Sequence, residues 1–138
     1  MPQVRLIYFS RAQPDLSLAD IQQILTSARQ RNHEKSICGM LCFESACFLQ
    51  VLEGERAAVN QLYLDIADDP RHYDIQILNY QEIGQPVFQR WSMGFAPTAD
   101  QFYLLLNQLG HNRFEPSQMT SEQALSFALG LADSMPDD

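Results

Sequence analysis

Four side chains of unequal chemistry interrupt or end apolar stretches: Tyr8 in VRLIYF, Gln50 in FLQVL, and Trp91 and Met93 in RWSMGF. Gln50 is the only strongly polar side chain in its stretch, and a buried amide needs partners. A phenol, a primary amide, an indole and a thioether around one spot would form an apolar slot with a few polar groups. Taken singly, each has a plain structural reading. The glutamine is satisfied by backbone, the tyrosine is a core residue with its hydroxyl near water, and tryptophan and methionine fill space. Asn32 reads as the end of a helix. Hydrolytic chemistry finds no support. There is no G-x-S-x-G elbow, and His33, His72 and His111 lack metal-ligand spacing. Gly39 and Gly54 stand alone, so there is no phosphate-cradling loop. The nearest catalytic pair is Arg31-Asn32, which would suit a small phosphate-ester or acylphosphate hydrolase; nothing else in the chain supports it.

The elements that would position these groups follow from periodicity. Residues 4–9 form a β-rich strand. Ser17 and Asp20 resemble a capping box ahead of Ile21, Ile24, Leu25 and Ala28, one stripe of a helix running to about Arg31. Residues 37–43 and 46–53 are two further strands around a tight Glu44-Ser45 region, with Gly54 punctuating the second. Val59, Leu62, Tyr63 and Ile66 define a helix over 55–67, stopped by Asp68-Asp69-Pro70. Residues 73–80 and 90–95 complete five strands. The order β-α-β-β-α-β-β predicts a ferredoxin-like α/β (α+β) sandwich: a five-stranded mixed sheet with two helices on one face. Beyond Pro97, Phe102, Leu105, Leu106 and Leu109 give a third helix. Thr120 and Gln123 cap a fourth, so a two-helix C-terminal extension is expected. The closing Met-Pro-Asp-Asp reads as frayed. Strand alternation puts Leu6 with Tyr8, Gln50 with Phe48 and Leu52, and Trp91 with Met93. Turned toward the first two helices, those faces make Tyr8, Gln50, Trp91 and Met93 converge.

Composition narrows the partners. The 138 residues carry 17 acidic and 9 basic side chains, a formal charge of −8. Lys35 is the single lysine and the arginines are scattered, so the dense basic stripe of a nucleic-acid binder is missing. An anionic membrane surface is equally disfavoured, no apolar run is long enough to cross a bilayer, and the N-terminus has no signal-peptide pattern. Cys38 and Cys42 in one strand would lie about 13 Å apart. That is too far for a shared disulfide or zinc ion. The three cysteines, Cys47 included, read as structural core thiols of a cytoplasmic protein.

A set of segments in order carries a resemblance: RLIYFS at 5–10, ILTSARQRN at 24–32, ICGMLCFESACFLQVLEG at 37–54, DDPRHYDIQIL at 68–78 and F-x-x-WSMGF at 88–95. Together they resemble the BLUF family of flavin-using blue-light sensors. FLQVLEG, the D-x-RH turn and WSM are the most specific parts. The tail, with RFEP and M-T-S-E-Q-A, resembles short stand-alone cyanobacterial members. The resemblance implies a photosensory domain over 1–97, a helical extension over 98–138, and FAD lodged between the first two helices. It implies that light drives electron and proton transfer from Tyr8 and leaves the hydrogen bonds of Gln50 to the flavin rearranged. Trp91 and Met93 match the family's mobile pair. Ile24, Arg29, Arg31, Asn32, Arg71 and His72, with Tyr8, Gln50 and Met93, are the implied cofactor contacts. Family members often carry a neutral polar or histidine side chain where this chain has Arg31, and some carry serine at the position of Ala28. The resemblance further implies a non-enzymatic signalling protein in phototaxis, a homo-oligomer of the decameric double-ring kind, and a response-regulator-like partner. The competing expectation is a cofactor-free ferredoxin-like interaction module.

Overall fold

The computed structural model describes residues 2–96 and 100–133. Five strands, β1 (Gln3–Ala12), β2 (Cys38–Glu44), β3 (Cys47–Glu55), β4 (His72–Ile83) and β5 (Gly94–Ala96), form one sheet in the order β4-β1-β3-β2-β5. All neighbours are antiparallel except β2 and β5, which run parallel, so the sheet is mixed as the element order predicts. Helices α1 (Leu18–Glu34) and α2 (Arg56–Ala67) cover one face, called the front. Helices α3 (Asp100–Gln108) and α4 (Ser121–Ala132) pack on the other, the back.

Both predicted capping boxes form. Ser17 Oγ accepts from the Asp20 amide while the Asp20 carboxylate accepts from the Ser17 amide, and Thr120 and Gln123 repeat the exchange. The β2–β3 hairpin turns on Ser45 and Ala46, with φ of 54° and 60°; two left-handed central residues match the twist of the flanking strands.

Strand parity divides the interior. Val4, Leu6 and Tyr8 of β1, Leu41 of β2, and Phe48 and Leu52 of β3 belong to the front core with Ile21, Leu25, Val59 and Leu62. Ile7 and Phe9, Met40 and Cys42, Leu49 and Val51 belong to the back core. There Phe102, Phe114 and Phe127 stack mutually, with ring centroids 5.0–5.8 Å apart. Cys38 and Cys42 are buried, Cys47 is partly exposed, and all three are free thiols. Burial alone pushes the Cys42 thiol up to about 12.

Several boundaries differ from expectation. Strands β1 and β4 run past residues 9 and 80, to Ala12 and Ile83. Gly54 does not end its strand: it pairs with Val4, and β3 runs on to Glu55 and directly into α2. A Cβ at Gly54 would come within 3.2 Å of Ile37 and 3.4 Å of the Ser36 carbonyl, so glycine admits close approach of the β2 entry. Helix α1 continues past Asn32 to Glu34 and is capped at Lys35. The last strand starts at Gly94 rather than residue 90, because 84–93 is drawn into a curled path by the contacts described below. The Pro97 boundary and the terminal Met-Pro-Asp-Asp lie outside the described residues.

Candidate functional site

Between α1, α2 and the sheet front lies a pocket that opens to solvent. Its floor is Tyr8, Leu41, Phe48 and Gln50; Ile24, Ala28 and Arg31 of α1 form one wall. Asp65 and Ile66 of α2 and the turn bearing Asp69, Arg71 and His72 form the other.

Tyr8 and Gln50 face each other across the β1–β3 ladder in direct register, which places both side chains on the front. The Tyr8 hydroxyl donates a hydrogen bond to Gln50 Oε1. Gln50 Nε2 lies 3.4 Å from Met93 Sδ. These three side chains are at most 5% exposed. Burial, first of all, raises the Tyr8 pKa well above the usual phenol value, so the group stays a neutral donor. Tyr63 of α2 packs edge-on against it at 5.7 Å. The amide of Gln50 is therefore directional: its oxygen is turned to the phenol, its nitrogen to sulfur, a weak acceptor. Rotating it would exchange these ends.

Asn32 is wholly buried and donates from Nδ2 to the Ser92 carbonyl at 2.8 Å. Its Oδ1 has no hydrogen-bond partner, and neither does the buried Nε of Arg31 beside it. Among the described residues these are the buried side-chain polar atoms left unsatisfied. Such atoms are costly unless a further group meets them. Desolvation lowers the Arg31 pKa, partly opposed by Asp65.

The D-x-RH turn is held from within. Arg71 donates from Nε to Asp69 at 3.0 Å, and its amide donates to the same carboxylate at 2.9 Å. The Arg71 side chain holds the Asp69 carboxyl below the usual carboxylate range. His72 Nε2 lies 2.6 Å from the Ile66 carbonyl, which can only accept, so Nε2 carries a proton; Nδ1 meets the Ser10 hydroxyl at 2.7 Å. His72 thereby ties β4 to β1 and to the end of α2.

Of the residues singled out from sequence, Tyr8, Ile24, Arg31, Gln50, Arg71 and His72 line the pocket, and Met93 touches Gln50. Three others are placed outside its lining. Asn32 is buried beside Arg31 and bonded to the Ser92 carbonyl. Arg29 donates from Nε to the Met93 carbonyl at 3.0 Å and lines a separate cleft. Trp91 does not share a face with Met93: it sits in the back core, 6.4 Å from Phe88, with the Arg90 guanidinium 4.7 Å from its ring. The alternation that pairs them requires an extended strand, and at 91–93 the chain is not in one. Sequence reasoning passed over Asp65, Ile66 and Ser27 as site residues. Ser27 and Ile24 lie at i and i−3 with Arg31 one turn on, and that spacing was the available signal.

The profile of the family described as sensors of blue light using FAD matches residues 3–94. The chain belongs to the BLUF family. The structure of BlsA in its photo-activated state overlays with a TM-score of 0.89 at 33% identity, covering 99% of this chain and 98% of that one. BlrB, a BLUF protein in its dark state, overlays with a TM-score of 0.84 at 30% identity, covering 97% and 98%. The photoactivated adenylate cyclase subunit beta of Euglena gracilis is 36% identical over 92 residues, 66% of this chain and 11% of that protein. The BLUF chain thus spans about a tenth of the cyclase it matches. The blue light- and temperature-regulated antirepressor BluF of Escherichia coli K12 is 37% identical over 70 residues, 51% of this chain and 17% of that one.

The cofactor of the BLUF family is FAD, and the pocket suits a flavin. The orphaned Asn32 acceptor matches an imide N–H, the orphaned Arg31 donor matches a carbonyl or phosphate oxygen, and Gln50 retains an N–H beyond its contact with Met93. Among the described residues, no helix is long and apolar enough to cross a membrane and no side-chain group would hold a metal ion.

Proposed function

We propose that this chain is a blue-light photoreceptor whose switch is the Gln50 amide and whose electron and proton donor is Tyr8. The carrying observation is the continuous contact Tyr8–Gln50–Met93, whose first two members floor a pocket walled by Arg31. FAD supplies the blue-light chromophore and the electron acceptor. The chain's own residues do the rest. Tyr8, neutral and desolvated, gives up an electron and, along its hydrogen bond to Gln50, its hydroxyl proton, and recovers both. The amide is left in its other rotamer or tautomer, offering different hydrogen bonds to the pocket and to Met93. Asn32 orients the flavin through its free acceptor, and Ile24 and Ala28 supply apolar wall. Arg31, Arg71 and His72 surround the polar end. No substrate is turned over.

Output runs from Met93 through β5 to α3 and α4, which share the back core with the sheet. Residues 1–97 act as the photosensory unit and 98–138 as its helical output extension. The recipient is a protein partner of response-regulator type, met by a homo-oligomer of this chain in a phototaxis pathway. The coupling requires only that the partner discriminate the two states. The test is to purify the protein in the dark with FAD, record its visible spectrum and illuminate it. A reversible red shift is expected; a colourless protein, or a spectrum that blue light leaves unmoved, refutes the reading.

A further inference from the structure

Residues 84–93, between β4 and β5, form a strap that passes from one core to the other. Phe88 and Trp91 are buried in the back core, whereas Met93 is buried in the front. The strap is tied at both ends. At its far end, Arg29 donates to the Met93 carbonyl, Asn32 to the Ser92 carbonyl, and Gln50 touches Met93 Sδ. All of these lie at the flavin pocket or next to it. At its near end the strap is anchored by the carboxylate of Glu53.

Glu53 is 0% exposed. Its Oε1 accepts from the adjacent amides of Val87 and Phe88, both at 2.8 Å, and from Cys38 Sγ at 3.6 Å. Its Oε2 accepts from Arg5 Nε at 2.9 Å and Arg5 Nη2 at 2.8 Å. Five donors saturate the acceptor capacity of one carboxylate. A buried ion pair of this kind is weak evidence for stability, since an apolar replacement of similar volume is often neutral. Its distinctive consequence is positional. Glu53 and Gln50 sit three residues apart on the same central strand and point to opposite faces, so the anchor and the switch share one rigid element.

We propose that Glu53 is a positioning residue, the fixed anchor that confines any shift starting at Met93 to residues 89–93. The inference rests on the Gln50 switch of the preceding section. With Val87 and Phe88 held, a changed Gln50–Met93 contact is absorbed where the strap has other bonds. Trp91 lies there, its amide donating to the Phe88 carbonyl at 3.0 Å and its carbonyl accepting from Gly39 at 3.1 Å. A Cβ at Gly39 would lie 2.0 Å from the Val51 carbonyl of β3, so glycine is what lets β2 lie this close to β3 at the point where it holds the strap. The shift is thereby delivered to Trp91 and the back core rather than dissipated toward β4.

Trp91 is the single tryptophan of the chain, so its emission reports on the strap. In the FAD-loaded protein the double variant Arg5→Met/Glu53→Met removes the anchor without leaving an unpaired buried charge. Its flavin red shift is expected to persist while the light-induced change in Trp91 emission is lost. A Trp91 response equal to wild type, or loss of the red shift as well, overturns the proposal. Hydrogen exchange on the wild type needs no variant. The Val87 and Phe88 amides should exchange equally slowly in dark and light, and those of Trp91 and Ser92 faster in light. Loss of protection at Val87 and Phe88 under light overturns it too. Absence of any red shift in the wild type would refute the Gln50 switch instead.

Discussion

The two faces of one sheet have been filled in opposite ways. The back core is apolar and aromatic, and the buried Arg5–Glu53 ion pair beside it has both carboxylate oxygens matched. The front carries a phenol, an amide and a thioether in contact, and α1 above it bears two buried polar atoms without partners. A packed apolar core has one good arrangement. In the proposed function, an amide between a phenol and a sulfur has two, and the proton movement from Tyr8 selects between them. On that reading the front changes and the back holds its shape, and β3 belongs to both.

The largest expected effect breaks the front while sparing the back. Tyr8→Phe and Gln50→Leu should each retain flavin and an unchanged unfolding curve yet lose the normal red shift; difference spectroscopy reads this, and a normal shift in both would remove their roles. The converse change is Phe127→Ala. It should cost about 3–5 kcal/mol of stability through lost burial and a residual cavity. Urea unfolding checks it, and the folded fraction should still show the red shift. A smaller effect is expected at the boundary between holding and switching. Asn32→Ala removes the unsatisfied acceptor together with the Nδ2 bond to the Ser92 carbonyl, so the flavin-free protein should lose some stability while flavin affinity falls by about 1–3 kcal/mol, roughly 5- to 150-fold. Titration of flavin fluorescence measures it.

The smallest effect concerns the pocket rim. Arg71 depresses the Asp69 carboxyl in the folded state. The linked stability is therefore fully present above the unfolded carboxylate value near 4 and is lost as pH falls through the lower folded value. The pair is partly exposed at the pocket rim, so the contribution should stay below about 1 kcal/mol. Asp69→Asn should flatten that part of the acid limb in unfolding curves taken between pH 5 and pH 2; an acid limb identical to wild type would show the pair contributes nothing.

Much of this division is legible in the sequence because it rests on local rules. The 3.6-residue stripes of α1 and α2 and the two capping boxes involve neighbours within four positions. The parity of β1 and β3 follows from period two, and it brings Tyr8 and Gln50 together once those strands pair. What escaped was long-range. The misplacement of Trp91 comes from treating 90–95 as extended, when Glu53, thirty-odd residues earlier, holds Val87 and Phe88 and the Phe88–Trp91 bond curls the chain. Glu53 itself looked like the polar end of a strand. Its register with Arg5 across β1–β3 was the clue, visible only after pairing is known. Arg29 and Arg31 are two apart on a helix and so face different sides, one toward the strap and the other into the pocket.

The contrast between the two cores is tested most directly by the light-minus-dark visible spectrum of the FAD-loaded protein, recorded side by side for the wild type, Gln50→Leu and Leu131→Ala. A reversible red shift is predicted in the wild type and in Leu131→Ala, where only back-core packing is lost, and none in Gln50→Leu. A normal shift in Gln50→Leu, or its disappearance in folded Leu131→Ala, would contradict the account.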